Sequence, residues 1–188
     1  MRWRVLLFTL CLFGFGSPAA ADEKSVAREQ TAQVLLNPAG PEVLLIQTLE
    51  QFENEFPDSP TAAAKILPLV RDERPKVRRT AVRVLSVLQA DLDEKGLADV
   101  ARMLSSDDKA EVVDALKALR WLYAPSTIPS ILPLLSDSDE HVKREACRAL
   151  AVIADRSVIS KIEPLLKDPI KDVREDAEGS ITQLRRKP

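Results

Sequence analysis

Apolar residues recur at helical spacing between Val77 and Leu88. With Val77 at zero and about 100° per residue, Ala81, Val84, Leu85 and Leu88 fall with it on one side of a helix. Charged and polar residues occupy the opposite side of the same segment. The pattern predicts an amphipathic helix that presents one apolar stripe to a core.

This helix belongs to a repeated unit. The segment Pro133–Leu150 can be laid over Pro164–Ile181 without a gap, at a shift of 31 residues. Both segments share a proline, two leucines, an aspartate, a valine, a basic residue and an alanine. A further copy runs over Pro68–Leu85. A degenerate copy aligns with these when Ala115 is placed at the alanine position. Its residues at the proline, aspartate, valine and basic positions are, in that order, Arg102, Ser106, Glu111 and Val112. A period of this length is typical of solenoids, in which each repeat is one supersecondary unit.

Each copy predicts two helices. The first contains the proline, which removes a backbone hydrogen bond and bends the helix. The aspartates Asp72, Asp137 and Asp168 precede the second helix and are predicted to be its N-cap, with Ser106 as the capping residue of the degenerate copy. Pro169 is then expected at the first helical position. The alanines fall on the apolar stripe, where a small side chain lets neighbouring helices approach closely: Ala81, Ala115, Ala146 and Ala177.

Breaker residues divide residues 22–188 into about five helix pairs. The predicted units are an atypical N-terminal capping repeat over 25–56, a repeat over 60–90, a degenerate repeat over 97–123, and repeats over 127–154 and 158–186. Terminal repeats are commonly atypical because they cap the stack. The expected fold is therefore an all-α solenoid.

The first residues have the layout of a secretory signal peptide. Arg2 and Arg4 form a basic start, Val5–Phe15 an apolar stretch, and Ala19–Ala21 a small-residue end. We expect residues 1–21 to be removed, leaving a chain that begins at Asp22, is periplasmic or secreted, and has no stable membrane insertion. The apolar stretch is shorter than the roughly 20 residues of a membrane-spanning helix.

Charge and cysteine content narrow the function classes. The chain has 27 Lys and Arg against 29 Asp and Glu, a net charge of −2. Removing residues 1–21, which contain two arginines and no acid, makes it −4, which argues against a dedicated nucleic-acid binder. Cys147 alone remains after cleavage, so no internal disulfide can form. We expect Cys147 to be a small buried hydrophobe, with a reactive thiol or an intermolecular bridge as alternatives.

The repeated frame resembles HEAT repeats, and in particular the short HEAT-like repeats first described in phycobiliprotein lyases. The resemblance is clear over Pro60–Leu184 and weak over Ser25–Phe56. It implies a right-handed stack of antiparallel helix pairs whose second helices line a concave surface. It also implies a ladder between an aspartate and the basic residue after the valine, interrupted at Ser106 and Val112. The implied pairs are Asp72 with Arg78, Asp137 with Lys143 and Asp168 with Arg174.

Enzymes of similar fold provide a direct comparison. Deoxyhypusine hydroxylase is HEAT-like and holds a di-iron centre with several His-Glu motifs, whereas His141 is the only histidine here. One cysteine and one histidine are too few for a typical zinc site. No nucleophile-and-base set or glycine-rich phosphate loop is evident. The bilin lyases resemble this chain in repeat type but act in the cytosol. We therefore expect no catalytic residues, no metal and no cofactor, and place His141 in a solvated first helical turn.

A candidate binding surface lies opposite the apolar stripe. Its predicted residues are Arg79, Arg83, Lys117, Trp121, Arg144 and Arg148. Exposed Trp and Arg are enriched among interface hot spots. The alternatives are an ordinary solvated basic face and a tryptophan that fills a gap between repeats.

The sequence predicts a non-catalytic, exported scaffold that binds a protein or peptide partner, with an acidic partner as one option, through its concave face. The alternative is an accessory subunit or maturation chaperone of an enzyme, which completes a site only with a second chain.

Overall fold

A computed structural model describes residues 39–55 and 60–187, and within these ranges every regular element is helical. The predicted signal segment 1–21 and the first helix of the predicted capping repeat lie outside the described residues. The elements that follow α1, Glu42–Glu55, form four successive pairs of helical segments.

The pairs have a common layout. In the first, α2 (Pro60–Ile66) continues as the 3-10 segment Leu67–Arg71 and is followed by α3 (Pro75–Val87). In the second, α4 (Glu94–Arg102) continues as Met103–Ser105 before α5 (Lys109–Trp121). In the third, Pro125–Thr127, α6 (Ile128–Ile131) and Leu132–Ser136 precede α7 (Glu140–Ile153). In the fourth, Arg156–Val158, α8 (Ile159–Ile162) and Glu163–Lys167 precede α9 (Lys171–Arg186).

The second helices form one closely packed row in which α1, α3, α5, α7 and α9 each lie against the next. The predicted alanine positions are all fully buried along this row: Ala81, Ala115, Ala146 and Ala177. One continuous hydrophobic core joins the repeats from Leu45 to Leu184. The first helices contact one another less than the second helices do. We call the exposed face of the second helices the concave surface, which is the position that the resemblance to HEAT repeats implies. The predicted all-α solenoid is confirmed.

The recurring proline changes the helix type. Pro68, Pro133 and Pro164 each lie near the start of a 3-10 segment that ends the first helix of the pair. A proline cannot donate the backbone hydrogen bond that would continue the α-helix, so the turn tightens there. In the degenerate repeat, Arg102 occupies the position as the last residue of α4, and the 3-10 segment that follows it is shorter, Met103–Ser105.

The aspartates before the second helices are not the N-caps that were predicted. Asp72, Asp137 and Asp168 accept, through Oδ1, from the N–H two residues later, each at 2.9 Å. They therefore close a turn between the two helices, and the second helix begins three residues further on. The true N-cap positions are Arg74, Asp139 and Ile170, so Pro169 lies before α9 and not at its first position. Ser106 closes the same turn by accepting from the Asp108 N–H at 3.2 Å.

The ladder implied by the family resemblance joins different partners. Arg78 donates to the backbone carbonyl of Asp72 (2.8 Å) and reaches forward to the carboxylate of Glu111 in the next repeat (2.5 and 2.8 Å). Arg174 likewise donates to a backbone carbonyl, that of Asp168, at 2.7 Å. The implied pairings within one repeat are wrong because a basic side chain on the second helix faces the following repeat.

The degenerate repeat keeps the ladder continuous with other residues. Lys109 donates to Asp137 at 2.8 Å, and Lys143 pairs with Asp168. Ser106 donates to Glu111 at 2.8 Å, so the glutamate replaces the missing aspartate as acceptor. The hydrogen bond from Arg78, aided by that from Ser106, holds the pKa of the buried Glu111 carboxyl below its usual value. Three charged links therefore join α3, α5 and α7 each to the next second helix or to the turn before it.

The alanine row generates a prediction about packing. Ala146→Leu should lower the free energy of unfolding by about 1–3 kcal/mol, because Ala146 is fully buried and a larger side chain overpacks the contact between helices. Thermal and urea unfolding followed by circular dichroism would measure the loss. The matched control is Gly179→Ala on α9, where an added Cβ meets no atom within 4 Å. That change should stabilise the helix by about 0.5–1 kcal/mol. A neutral Ala146→Leu would contradict the close helix contact.

The Arg78–Glu111 pair generates a prediction about pH. Glu111→Gln should cost about 1–3 kcal/mol at neutral pH, because it removes a charge-assisted, two-point hydrogen bond between neighbouring second helices. A carboxyl with a lowered folded-state pKa stabilises the fold above its unfolded pKa of about 4.3 and loses that contribution as pH falls through the folded value. The difference between the two proteins should therefore shrink below about pH 4.

Glu178→Gln on α9 is the control for this measurement, since Glu178 is exposed and has no ion pair among the described residues. Its unfolding curve should follow the parent at every pH. An Arg78–Glu111 difference that stayed constant down to acid pH would show that the carboxylate charge is unimportant.

Candidate functional site on the concave surface

The predicted binding residues lie on three consecutive second helices. Arg79 and Arg83 are on α3, Lys117 and Trp121 on α5, and Arg144 and Arg148 on α7. All six are partly or largely exposed, in contrast to the buried alanines on the opposite face of the same helices. The inside and outside faces are therefore assigned as predicted.

Most of the predicted cations are paired with acids on the next second helix. Arg79 Nε donates to Asp114 at 2.6 Å. Arg144 Nε donates to Asp176 at 2.6 Å, and Arg148 Nε donates to the other oxygen of the same carboxylate at 2.9 Å. The concave surface is thus a series of charge pairs between repeats.

Arg83 lies closer to the N-terminal end of the stack. Its guanidinium is 3.9 Å from the carboxylate of Glu50 on α1, and both side chains are about half exposed. Such an exposed pair adds little to stability.

Lys117 differs from the other cations. It is exposed, and within residues 39–55 and 60–187 it has no ion pair. Its counterparts one repeat away in either direction, Arg83 and Arg148, both have carboxylates nearby. Lys117 is therefore the member of the predicted set whose charge the described part of the chain leaves uncompensated.

Trp121 is exposed on the concave side, with 62% of its surface accessible. The guanidinium carbon of Arg120 lies 5.8 Å from the centroid of its ring, within the range of a cation–π contact. The alternative prediction, that Trp121 fills a gap between repeats, is wrong. The residues that match it by position in the flanking repeats are Val87 and Val152, so the second pair presents the largest apolar side chain at this position.

Tyr123 enlarges the aromatic surface, and the sequence analysis did not single it out. It follows the end of α5 with φ of 49°, a left-handed conformation that is uncommon for a large residue, and is also 62% exposed. The N–H of Ala124 donates to the carbonyl of Leu119 at 3.1 Å and so closes the helix end around it. Gln89 has the same conformation after α3, whereas Ala154, at the equivalent position after α7, is extended.

The buried acid Glu145 lies between Arg148, which belongs to the charge pairs, and Arg120, which contacts Trp121. Glu145 on α7 is 5% exposed, and its Oε1 accepts from Arg148 at 3.0 Å. Its Oε2 is buried without a hydrogen-bond partner, and the nearest cation is Arg120 at 3.7 Å. The burial of Glu145 could not be predicted from the sequence, because its spacing from Arg148 is that of an ordinary pair on a helix surface.

A cleft of about 430 Å³ lies between α3, α5 and α7. Its lining includes Arg79, Lys109, Val113, Asp114, Lys117 and His141. Val113 occupies the position held by Arg79 in the preceding repeat and by Arg144 in the following one. The cleft therefore lies where the series of charge pairs is interrupted.

The remaining candidate reactive groups are placed as expected. Cys147 is fully buried, and burial, with the nearby carboxylate of Asp176, raises the pKa of its thiol to about 12. A protonated buried thiol is a poor nucleophile. His141 is exposed in the first turn of α7.

The sequence profile of the family described as HEAT repeats matches residues 100–182. This part of the chain is similar to HEAT repeats. The match spans α5, α7 and most of α9, and so includes most of the degenerate repeat that carries Lys117 and Trp121. The resemblance seen in the recurring Pro, Asp, Val and Ala frame is confirmed.

Solved structures share the helical fold of this chain over almost its whole length. The complex of CpcE and CpcF of phycocyanin lyase from Nostoc sp. PCC7120 aligns with a TM-score of 0.70 at 18% identity, over 94% of this chain and 70% of the matched chain. An engineered protein aligns with a TM-score of 0.62 at 20% identity, over 90% and 85% of the two chains. A designed armadillo repeat protein gives 0.59 at 17% identity, over 86% and 84%. At these identities the likeness is one of fold.

No curated protein sequence matches this chain. Among the described residues, no helix is both long and apolar enough to span a membrane.

Proposed function

We propose that this chain is an exported, non-catalytic HEAT-repeat scaffold that binds a protein or peptide partner through its concave surface. The observation that carries the proposal is the exposed Trp121 on that surface. One helical turn before it lies Lys117, which has no ion pair in the described part of the chain. Large aromatic side chains with nearby cations are the residues on which binding energy concentrates in protein interfaces.

The ion pairs around Trp121 support a role in binding. Arg120, Arg148 and Asp176 are held by neighbouring side chains, so the surface is largely organised before a partner arrives. A preorganised surface loses less conformational entropy on binding. A flexible basic face would lose more.

A second candidate function is an accessory subunit or maturation chaperone of an enzyme. It is favoured by the structural likeness to a complex of two proteins named for phycocyanin lyase. In that case the purified chain alone would turn over no substrate, and activity would appear only with the second chain.

Capture experiments with Trp121→Ala test the scaffold proposal. The purified chain, immobilised as bait for the envelope fraction of its own cells, should recover a stoichiometric partner that the variant loses. The variant should unfold within about 1 kcal/mol of the parent, because its ring is exposed and an exposed cation–π contact is worth about 0.5–1 kcal/mol.

Leu166→Ala is the matched control, since Leu166 is 41% exposed but belongs to the row of first helices. It should retain the partner. Equal recovery by the Trp121 variant and the parent would remove Trp121 from the binding surface. Turnover of any substrate by the isolated chain would contradict the non-catalytic proposal.

Export is tested separately by intact-mass measurement. The chain recovered outside the cytoplasm should begin at Asp22, because Ala19–Ala21 supplies the small residues that precede signal-peptide cleavage. A species that retained residues 1–21 and stayed with the membrane would show that the segment is an anchor.

A further inference from the structure

We infer that the cleft between α3, α5 and α7 is the recognition site for an acidic peptide segment, with Lys117 as the residue that binds its carboxylate. The inference rests on the proposed function and names the chemistry of the partner. It follows from an interruption in the charge pairs between repeats.

The pairs follow a rule of position. Arg79 on α3 donates to Asp114 on α5, and Arg144 on α7 donates to Asp176 on α9, each at 2.6 Å. The donors occupy one position of the repeat, and the acceptors occupy the next position along the following helix. The same geometry therefore applies on both sides of the α5–α7 junction.

At the α5–α7 junction the donor at this position is missing. The position equivalent to Arg79 and Arg144 is Val113, and the acceptor it would serve is Glu145. The consequence is visible in the acceptor, because Glu145 Oε2 is buried and has no hydrogen-bond partner, and its ion pair with Arg120 on α5 is long, at 3.7 Å. The absent arginine also leaves room, since Val113 lines the cleft of about 430 Å³.

The charges on the cleft favour an anion. Arg79 is compensated by Asp114 and Lys109 by Asp137, while Asp139 accepts from the N–H groups of His141 and Val142 at the start of α7. Lys117 adds a positive charge that no described residue pairs with. A carboxylate placed against Lys117 would complete the charge balance at low desolvation cost, because the lysine is already exposed.

The surroundings favour a peptide over a free ion. Val113 contributes apolar surface to the cleft, and Trp121 lies one turn beyond Lys117 on the same face of α5. An acidic side chain on Lys117 would therefore place its flanking residues near Val113 on one side and Trp121 on the other. A segment that alternates acidic and apolar residues fits this order.

Fluorescence anisotropy with defined peptides tests the inference. The probe is a short fluorescein-labelled peptide of Glu-Gly-Leu repeats, and the comparison peptide replaces each Glu by Gln. The parent chain should bind the Glu peptide at least about fivefold more tightly at low salt, with the difference reduced at about 0.15 M salt.

Two variants locate the site. Lys117→Gln should weaken binding of the Glu peptide about fivefold, which corresponds to the loss of one exposed charge pair. Val113→Arg should abolish binding by filling the cleft and pairing with Glu145, and its melting temperature should be no lower than that of the parent. The control is Lys161→Gln on α8, an exposed lysine with no ion pair among the described residues, which should bind like the parent.

The outcomes separate this inference from the proposed function. Unchanged binding of the Glu peptide by Lys117→Gln and Val113→Arg overturns the cleft as the site but leaves a peptide-binding scaffold. Equal binding of the Glu and Gln peptides overturns the acidic specificity alone. Failure of both peptides to bind overturns the inference, and the proposed function fails with it only if Trp121→Ala also leaves partner capture unchanged.

Discussion

The structure depends on the contact that each second helix makes with the next. No helix pair of this chain can bury its own apolar face, since every second helix carries a stripe that only its neighbours can cover. The alanines at the centre of that stripe are fully buried, and their small size sets how closely the helices approach. Because this spacing recurs along the row, side chains flanking the stripe meet the same neighbours in each repeat.

That regular spacing explains why the charges are paired between repeats. An arginine on the outer face of one second helix lies within reach of an acid on the next, as Arg79 does of Asp114. The alanine contacts alone do not fix the position of one helix along the axis of the next. The ion pairs do, because an Arg–carboxylate hydrogen bond is geometrically specific. Their contribution lies more in fixing the register of the helices than in stability, since partly exposed pairs are individually weak.

The sequence predicted those features of the structure that depend on residues close together in the chain. The helical period, the alanine stripe, the bend at Pro68 and its equivalents, and the likeness to HEAT repeats all follow from residues close together in sequence. The Arg78–Glu111 pair illustrates what could not be predicted. The two residues are 33 positions apart, and whether Arg78 pairs with an acid in its own repeat or in the next depends on how the repeats stack. The exposure of Trp121 was unresolved for the same reason, because a large side chain on a helix face can be covered or left open by a neighbour.

In the degenerate repeat, fewer residues of the concave surface are needed for ion pairs between neighbouring helices. In the regular repeats, the positions on the concave surface are occupied by residues that hold neighbouring helices together, and a change there disturbs the stack. In the degenerate repeat, Lys109 and Glu111 maintain the ladder at the start of α5. The stack is thereby held together at this end of the helix, so Val113, Lys117 and Trp121 are not required to form the usual pairs. The degenerate repeat departs most from the repeated frame. Its helix α5 therefore carries the exposed ring of Trp121, a lysine, Lys117, without an ion pair in the described chain, and Val113, which lines the cleft.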